Sequence, residues 1–302
     1  MHDMPTATDP AAAGSTADTA PRVHLVGAGP GDPELLTLKA VRVLQQASVA
    51  LVDDLVHDGC LRHLPASCRV VHVGKRGGCA STPQAFIERL MVAEAWRGER
   101  VVRLKGGDPL LFGRAGEEIA ALRAAGIAVE VVPGITAGVA AASASAVSLT
   151  HRDHARGVAF VTGHPAAGNG VDWAALARSG LTLVIYMGVS TAAAIQQALL
   201  DGGLPASTPA LLVQSAGNPH ERRLRTRLGT LAASLAASGL ASPCVMIIGA
   251  VTEAPMQTDM PMPAPMQAQA EAVVEAWPGS PSVLGAMPHP VPPAPAVKVR
   301  VA

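Results

Sequence analysis

The chain has 302 residues, 49% of them hydrophobic, enough to bury one large core or two smaller ones. Aromatic residues make up only 2%, and 23 Lys and Arg balance 23 Asp and Glu. This excludes the stacking platforms and broad basic field on which nucleic-acid binders depend, so nucleic acid is not an expected partner.

The longest small-apolar stretch, Ala137 to Leu149, is interrupted by Ser143, Ser145 and Ser148. It falls short of the roughly 20 apolar residues that a membrane span needs. No basic start followed by an apolar run marks a secretory signal. The cysteines Cys60, Cys68, Cys79 and Cys244 form no CxxC pair and read as free thiols of a reducing compartment. A soluble cytoplasmic protein with no membrane partner is expected.

Residues 1–21 are Ala, Thr, Asp, Pro and Gly without periodicity and read as a disordered tail. From Arg22 to Gly134, short apolar runs near 23–28, 48–53, 69–74, 100–105 and 128–132 alternate with helical patterns. From Ile135 to Ala254 the alternation continues through VAFVTG, TLVIYMG, ALLVQS and CVMIIGAV. Such alternation predicts parallel sheets covered on both faces. The expectation is therefore two α/β domains, 22–134 and 135–254, with a small-residue helix over 136–148 near the join. A cleft between two such domains is a common ligand site. In 255–302, 11 of the 25 prolines fall among Met, Ala and Gln, and this second tail is also expected to be disordered.

Several motifs fall at the carboxyl ends of these strands. GAGPGDPE, from Gly27, has the spacing GxGxG rather than GxGxxG, and Pro30 has no N–H to offer a phosphate. Asp32 and Glu34 sit at the helix start, where they would repel a diphosphate. This turn either admits a phosphate-free ligand or is simply tight. Asp53 and Asp54 close the second strand, where parallel sheets place their chemistry, although capping is the plainer role. Lys75 and Arg76 follow the third strand as a basic turn.

VVRLKGGDPLLFGRAGEE, residues 101–118, ends a buried-looking strand in Gly106, Gly107 and Asp108 and continues to Arg114 and Glu117. It reads as the floor of a binding cleft. VVPGITAG turns at Gly134 into a small-residue helix, and LTHRDHARG crowds His151, Arg152, His154 and Arg156 around Asp153. That basic cluster suits a ligand with several carboxylates, and no His, Cys and Asp spacing in it argues for a metal. LVIYMG ends in Tyr186 and Met187.

In this order, over Val23 to Val251, these motifs resemble the tetrapyrrole methylase family. The run RLKGGDP with PGITA and LTHRD points to the branch that methylates uroporphyrinogen III at C2 and C7 to give precorrin-2. The resemblance implies two α/β domains with the active-site cleft between them, usually in a homodimer. It also implies S-adenosyl-L-methionine as methyl donor, with no metal. Cofactor contacts are implied at Pro30, Gly106, Gly107, Asp108, Leu111, Thr136, Ala137, Met187 and Ala216. Asp53 matches the family's proposed proton acceptor and Lys75 its donor. Arg114, Arg152 and Met187 would contact substrate, and Glu117 would orient Arg114 or assist as a base.

Three departures stand out: Asp54 where Arg is common, Ala216 where Gly is common, and Leu111 where Ile is common. No fused dehydrogenase–chelatase module is visible, so a stand-alone methylase is expected. The alternatives are a later corrin-ring methylase, a diphthine-methylating relative, a nicotinamide-dependent oxidoreductase and a non-catalytic cofactor-binding module. Pro30 and the acidic helix start count against the oxidoreductase, and Asp53 with Lys75 against the module.

Overall fold

Among the described residues, ten strands form two five-stranded sheets. The computed structural model describes residues 21–74, 82–164 and 170–253. Lys75, Arg76, Cys79 and the two tails lie outside the described residues.

The first sheet contains β1 (Arg22–Gly27), β2 (Val49–Val52), β3 (Arg69–His72), β4 (Val101–Lys105) and β5 (Ala128–Val132). Its order is β3-β2-β4-β1-β5, and every pairing is parallel. β2 and β4 are buried at every position, as expected for central strands covered on both faces. Side chains alternate between those faces. Val23, Leu25, Leu51 and Val101 pack against α2 (Gln84–Trp96) and α3 (Ala115–Ala124). Val26, Ala50, Val52, Val102 and Leu104 pack with Ala40 and Leu44 of α1 (Leu38–Leu44).

The second sheet contains β6 (Val158–Thr162), β7 (Thr182–Tyr186), β8 (Pro209–Gln214), β9 (Arg222–Arg227) and β10 (Cys244–Ile248), in the order β6-β7-β10-β8-β9. One of its faces meets α5 (Trp173–Ala177), α6 (Ala192–Asp201) and α7 (Leu231–Ser238). The other meets α4 (Ala137–Ala144). The expected small-residue helix is therefore present but ends before 148. Gly138 lets it approach the sheet closely: a Cβ there would lie 2.6 Å from Val184 Cγ1. Both sheets belong to one compact unit.

The wholly parallel expectation fails in this second sheet. β6 and β7 are parallel, but β10 runs antiparallel to both β7 and β8, and β9 runs antiparallel to β8. The break begins at β9, a hairpin return with the sequence RRLRTR. Four arginines make it read as a polar loop, yet it is an edge strand, where charge discourages pairing with other chains.

Candidate active site

Three loops of the first sheet converge through glycine. After β1, Gly29 exchanges backbone hydrogen bonds with Gly107 after β4, at 3.2 and 2.7 Å. A Cβ on Gly134, after β5, would stand 2.3 Å from the Gly107 carbonyl oxygen and 2.8 Å from Gly27 Cα. Only hydrogen fits there, and Gly107 itself has φ +68°, a conformation that glycine adopts without strain. Asp108 fastens the junction: one carboxylate oxygen accepts the Leu110 N–H at 2.9 Å and the other the Gly134 N–H at 3.0 Å. Thr136 and Ala137 then open α4 beside Gly107.

The second half closes over these loops. Tyr186, at the end of β7, accepts the Gly138 N–H at 2.7 Å and bonds the Thr136 hydroxyl at 2.7 Å. Burial pushes the Tyr186 phenol above its usual range, against the opposing effect of those two bonds. Its ring lies 5.0 Å from that of Phe112. After β8, Asn218 donates to the Pro30 carbonyl at 3.2 Å. A Cβ on Gly31 would strike that amide, at 2.1 Å from Nδ2.

Phe112, Arg114, Met187 and Ser215 have φ of 55, 57, 54 and 52°. Four non-glycine residues in the left-handed region on strand-end loops mark a surface shaped at some cost in backbone energy. Leu110, Phe112, Val139 and Met187 expose large apolar side chains.

The structure thus joins Pro30, Gly106, Gly107, Asp108, Thr136, Ala137, Met187 and Ala216 through loops in direct contact. Leu111 lies half-buried in the same β4–α3 loop. Ala216 is 5% exposed, its methyl packed in the core beneath α4, so only its backbone is offered to a ligand. The Asp54 backbone packs against Gly74, while its residue surface is exposed. An open pocket of about 810 Å³ between the halves is lined by Asp32, His57, Asn218 and Arg223 among others. It lies beside Pro30, but none of the expected cofactor residues lines it.

The charged residues divide into three sets. Asp53 accepts a 2.6 Å hydrogen bond from Arg103 and has Lys105 Nζ at 3.8 Å. Arg114 and Glu117 form a bidentate pair, at 2.9 and 2.6 Å, on the exposed start of α3. That hydrogen bonding holds the Glu117 carboxyl below its usual range and the Arg114 guanidinium above. Arg152 stands apart in an exposed turn with Thr150, His151 and Arg156 around an open pocket of about 570 Å³. Sequence reasoning passed over Phe112, Asn218, Arg103 and Glu118. The alternation along β4 and the burial phase of α3 were the signals for the last two.

S-adenosyl-L-methionine has a sulfonium, a carboxylate and an adenosine but no phosphate, and the loops fit it. The start of the Pro33–Leu35 turn is already capped by Asp32, whose carboxylate accepts the Glu34 N–H at 2.9 Å. A diphosphate would meet that acid. The glycine junction allows backbone approach, and exposed apolar side chains stand nearby.

The profile described as Tetrapyrrole (Corrin/Porphyrin) Methylases matches residues 22–232. The chain belongs to the tetrapyrrole methylase family. Within it, the chain is 54% identical over 231 residues to a uroporphyrinogen-III C-methyltransferase of Pseudomonas aeruginosa, covering 76% of this chain and 94% of that one. A siroheme synthase of Chromobacterium violaceum is 50% identical, but the match spans 51% of its length.

Among solved tetrapyrrole methylases, the uroporphyrin-III C-methyltransferase of Thermus thermophilus complexed with S-adenosylhomocysteine is 44% identical. That match has a TM-score of 0.66 and covers 76% of this chain and 98% of the other. A cobalt precorrin-4 methyltransferase superposes with a higher TM-score, 0.71, at 26% identity, covering 77% and 96%. Shape is thus shared across family branches, whereas sequence identity separates them.

Proposed function

We propose that this protein transfers methyl groups from S-adenosyl-L-methionine to C2 and C7 of uroporphyrinogen III, giving precorrin-2. The observation that carries the reading is the 54% identity to a uroporphyrinogen-III C-methyltransferase over 94% of that relative. The family match, residues 22–232, includes every strand-end loop described above. In this reading 22–134 and 135–254 act as two domains, in a cytoplasmic homodimer. Among the described residues, no helix is long and apolar enough to cross a membrane.

The cofactor supplies an activated methyl group. Backbone at Pro30, Gly106, Gly107, Thr136, Ala137 and Ala216, with the side chains of Leu111 and Met187, would hold it. Asp108 contributes by keeping the Gly107 and Gly134 loops together. Fixing donor and acceptor in line supplies much of the rate, because orientation entropy is lost on binding rather than in the reaction. Arg114 and Arg152 grip the substrate's carboxylate arms, with Glu117 orienting Arg114. Asp53, held by Arg103, accepts the proton that the ring gives up after the carbon–methyl bond forms. Lys75, outside the described residues, is the donor in this scheme.

The test is incubation with uroporphyrinogen III and methyl-labelled cofactor. Dimethylated tetrapyrrole is the expected product. Label entering a protein or a corrin ring instead would overturn the assignment.

A further inference from the structure

β4 buries two cations at the centre of the first sheet. Arg103 is 2% exposed and Lys105 3%. Both point to the α2 and α3 side, and Lys105 passes beneath Gly113, whose added Cβ would lie 3.2 Å from Lys105 Cε. Glu118 of α3, wholly buried, meets them with one oxygen. Its Oε1 accepts from Arg103 Nε at 3.0 Å, Lys105 Nζ at 3.1 Å and Gln84 Nε2 at 3.3 Å. Its Oε2 is buried with no hydrogen-bond partner among the described residues.

The other end of the cluster is Asp53, whose side chain is 29% exposed. Its two oxygens meet Arg103 at 2.6 Å and Lys105 at 3.8 Å. Two cations and two acids therefore form a neutral set running from the interior to the cleft.

A cluster serving the fold alone would be an uneconomical choice. Apolar residues of similar volume at such sites are often as stabilising as a buried ion pair. Glu94, the other buried acid of this half, shows the contrast: it uses both oxygens, and its partners Arg69 and Arg97 lie exposed on the surface. Glu118 instead leaves one oxygen unpaired and places the other where both cations of Asp53 converge.

We infer that Glu118, acting through Arg103 and Lys105, is the positioning residue for the proton-accepting carboxylate of Asp53. The inference rests on the reading of Asp53 as proton acceptor. Arg103 sets the direction of one Asp53 oxygen, and Glu118 sets Arg103. When Asp53 takes a proton, Glu118 is the counter-charge that remains to Arg103 and Lys105, so the set carries one net positive charge rather than two.

Lys105 reports on this arrangement. Burial lowers its pKa first and Arg103 next, while Glu118 and Asp53 oppose the fall. The remaining groups near Glu118 are Gln84 and, at the start of the same helix, Arg114, which also feels Glu88 and Glu117.

The experiment is kcat against pH for the full chain, the wild type and two variants, with S-adenosylhomocysteine affinity and melting temperature measured alongside. Glu118→Gln removes a group that keeps Lys105 protonated. We expect kcat about ten- to a hundredfold lower, part of what a general base contributes. KM for the tetrapyrrole should stay within threefold, and the alkaline limb should move about one unit to lower pH, as for a lost counter-charge at this range. Glu118→Asp should recover part of kcat. Lys105→Met should move the alkaline limb, leaving the one that Lys75 imposes as proton donor.

Wild-type kcat and an unmoved limb in Glu118→Gln would overturn the inference. If that variant does not fold, Lys105→Met decides, since an unchanged limb there would also overturn it. Asp53→Asn separates the two levels. A wild type that never methylates uroporphyrinogen III sinks the functional reading. An active wild type whose Asp53→Asn variant keeps full turnover sinks the proton-acceptor and positioning roles while leaving the methylation itself standing.

Discussion

The first half of the protein buries Glu94, Arg103, Lys105 and Glu118 as whole residues, whereas the second half wholly buries only Ser145, Thr182 and Thr252 among the described polar residues, its one comparable feature being the half-buried Arg225, which donates to the Thr252 carbonyl. The second core is a plain aliphatic one, with Leu183, Ile185, Leu212 and Met246 packed against α5, α6 and α7. Desolvating charge is costly unless it is paired and fixed. On the proposed reading, the half that carries this cost also holds the proton acceptor Asp53. The other half supplies a wall, a tyrosine and an asparagine that dock on the first half's loops.

The sharpest way to break this contrast is at Asp53. Asp53→Asn should lower kcat by about 10²- to 10⁴-fold, the range for a lost general base, while S-adenosylhomocysteine still binds. Wild-type turnover would show that the charged half is structural after all. The next largest effect belongs to the loop junction. Gly134→Ala puts a methyl 2.3 Å from a backbone oxygen that cannot swing aside. Calorimetry should show cofactor-product affinity reduced by at least about tenfold, since misplacing such loops removes preorganised contacts. A crystal-clear counter-result would be unchanged affinity with an unchanged melting temperature.

The second half should respond in the opposite sense. Leu212→Ala, at a wholly buried position, should cost about 2–5 kcal/mol of stability, as large-to-small core changes do. Turnover per folded molecule should stay near the wild type. A large loss of kcat at full folding would show that this core transmits strain to the site.

Much of this contrast was legible in the sequence, for identifiable reasons. The five strands of the first sheet announce themselves as short apolar runs ended by Gly, Asp or Pro, and the observed β1 to β5 fall on them. The motif order placed Pro30, Gly106, Asp108, Thr136 and Met187 at strand ends that do meet. Strand direction was not legible, because CVMII reads the same whether it runs parallel or antiparallel. β9 escaped because arginines at a sheet edge look like a loop. Arg103 and Lys105 were visible as charges in an interior-looking run, but one-dimensional reading assigned them to a cleft floor. Their burial depends on α3, the element after β4, folding back so that Glu118 faces them.

The finest distinction is between neighbours. Ala115, Glu118 and Leu122 share the buried stripe of α3, so Glu118 points inward and Glu117 outward. The side chains of Glu117 and Arg114 are 52% and 58% exposed. The hydrogen bond from Arg114 lowers the Glu117 pKa, so the pair favours the folded state above the ordinary carboxylate range. That contribution fades as pH falls through the lowered value. Solvent screening keeps it small, and Glu117→Gln should change stability by no more than about 0.5 kcal/mol. Its kinetic mark should be a few-fold rise in the tetrapyrrole KM with kcat retained, because only the aim of Arg114 is loosened. If Glu117→Gln instead lost kcat as deeply as Asp53→Asn, the exposed acid would be a base in its own right. The division between an inward positioning carboxylate and an outward orienting one would then have to be reversed.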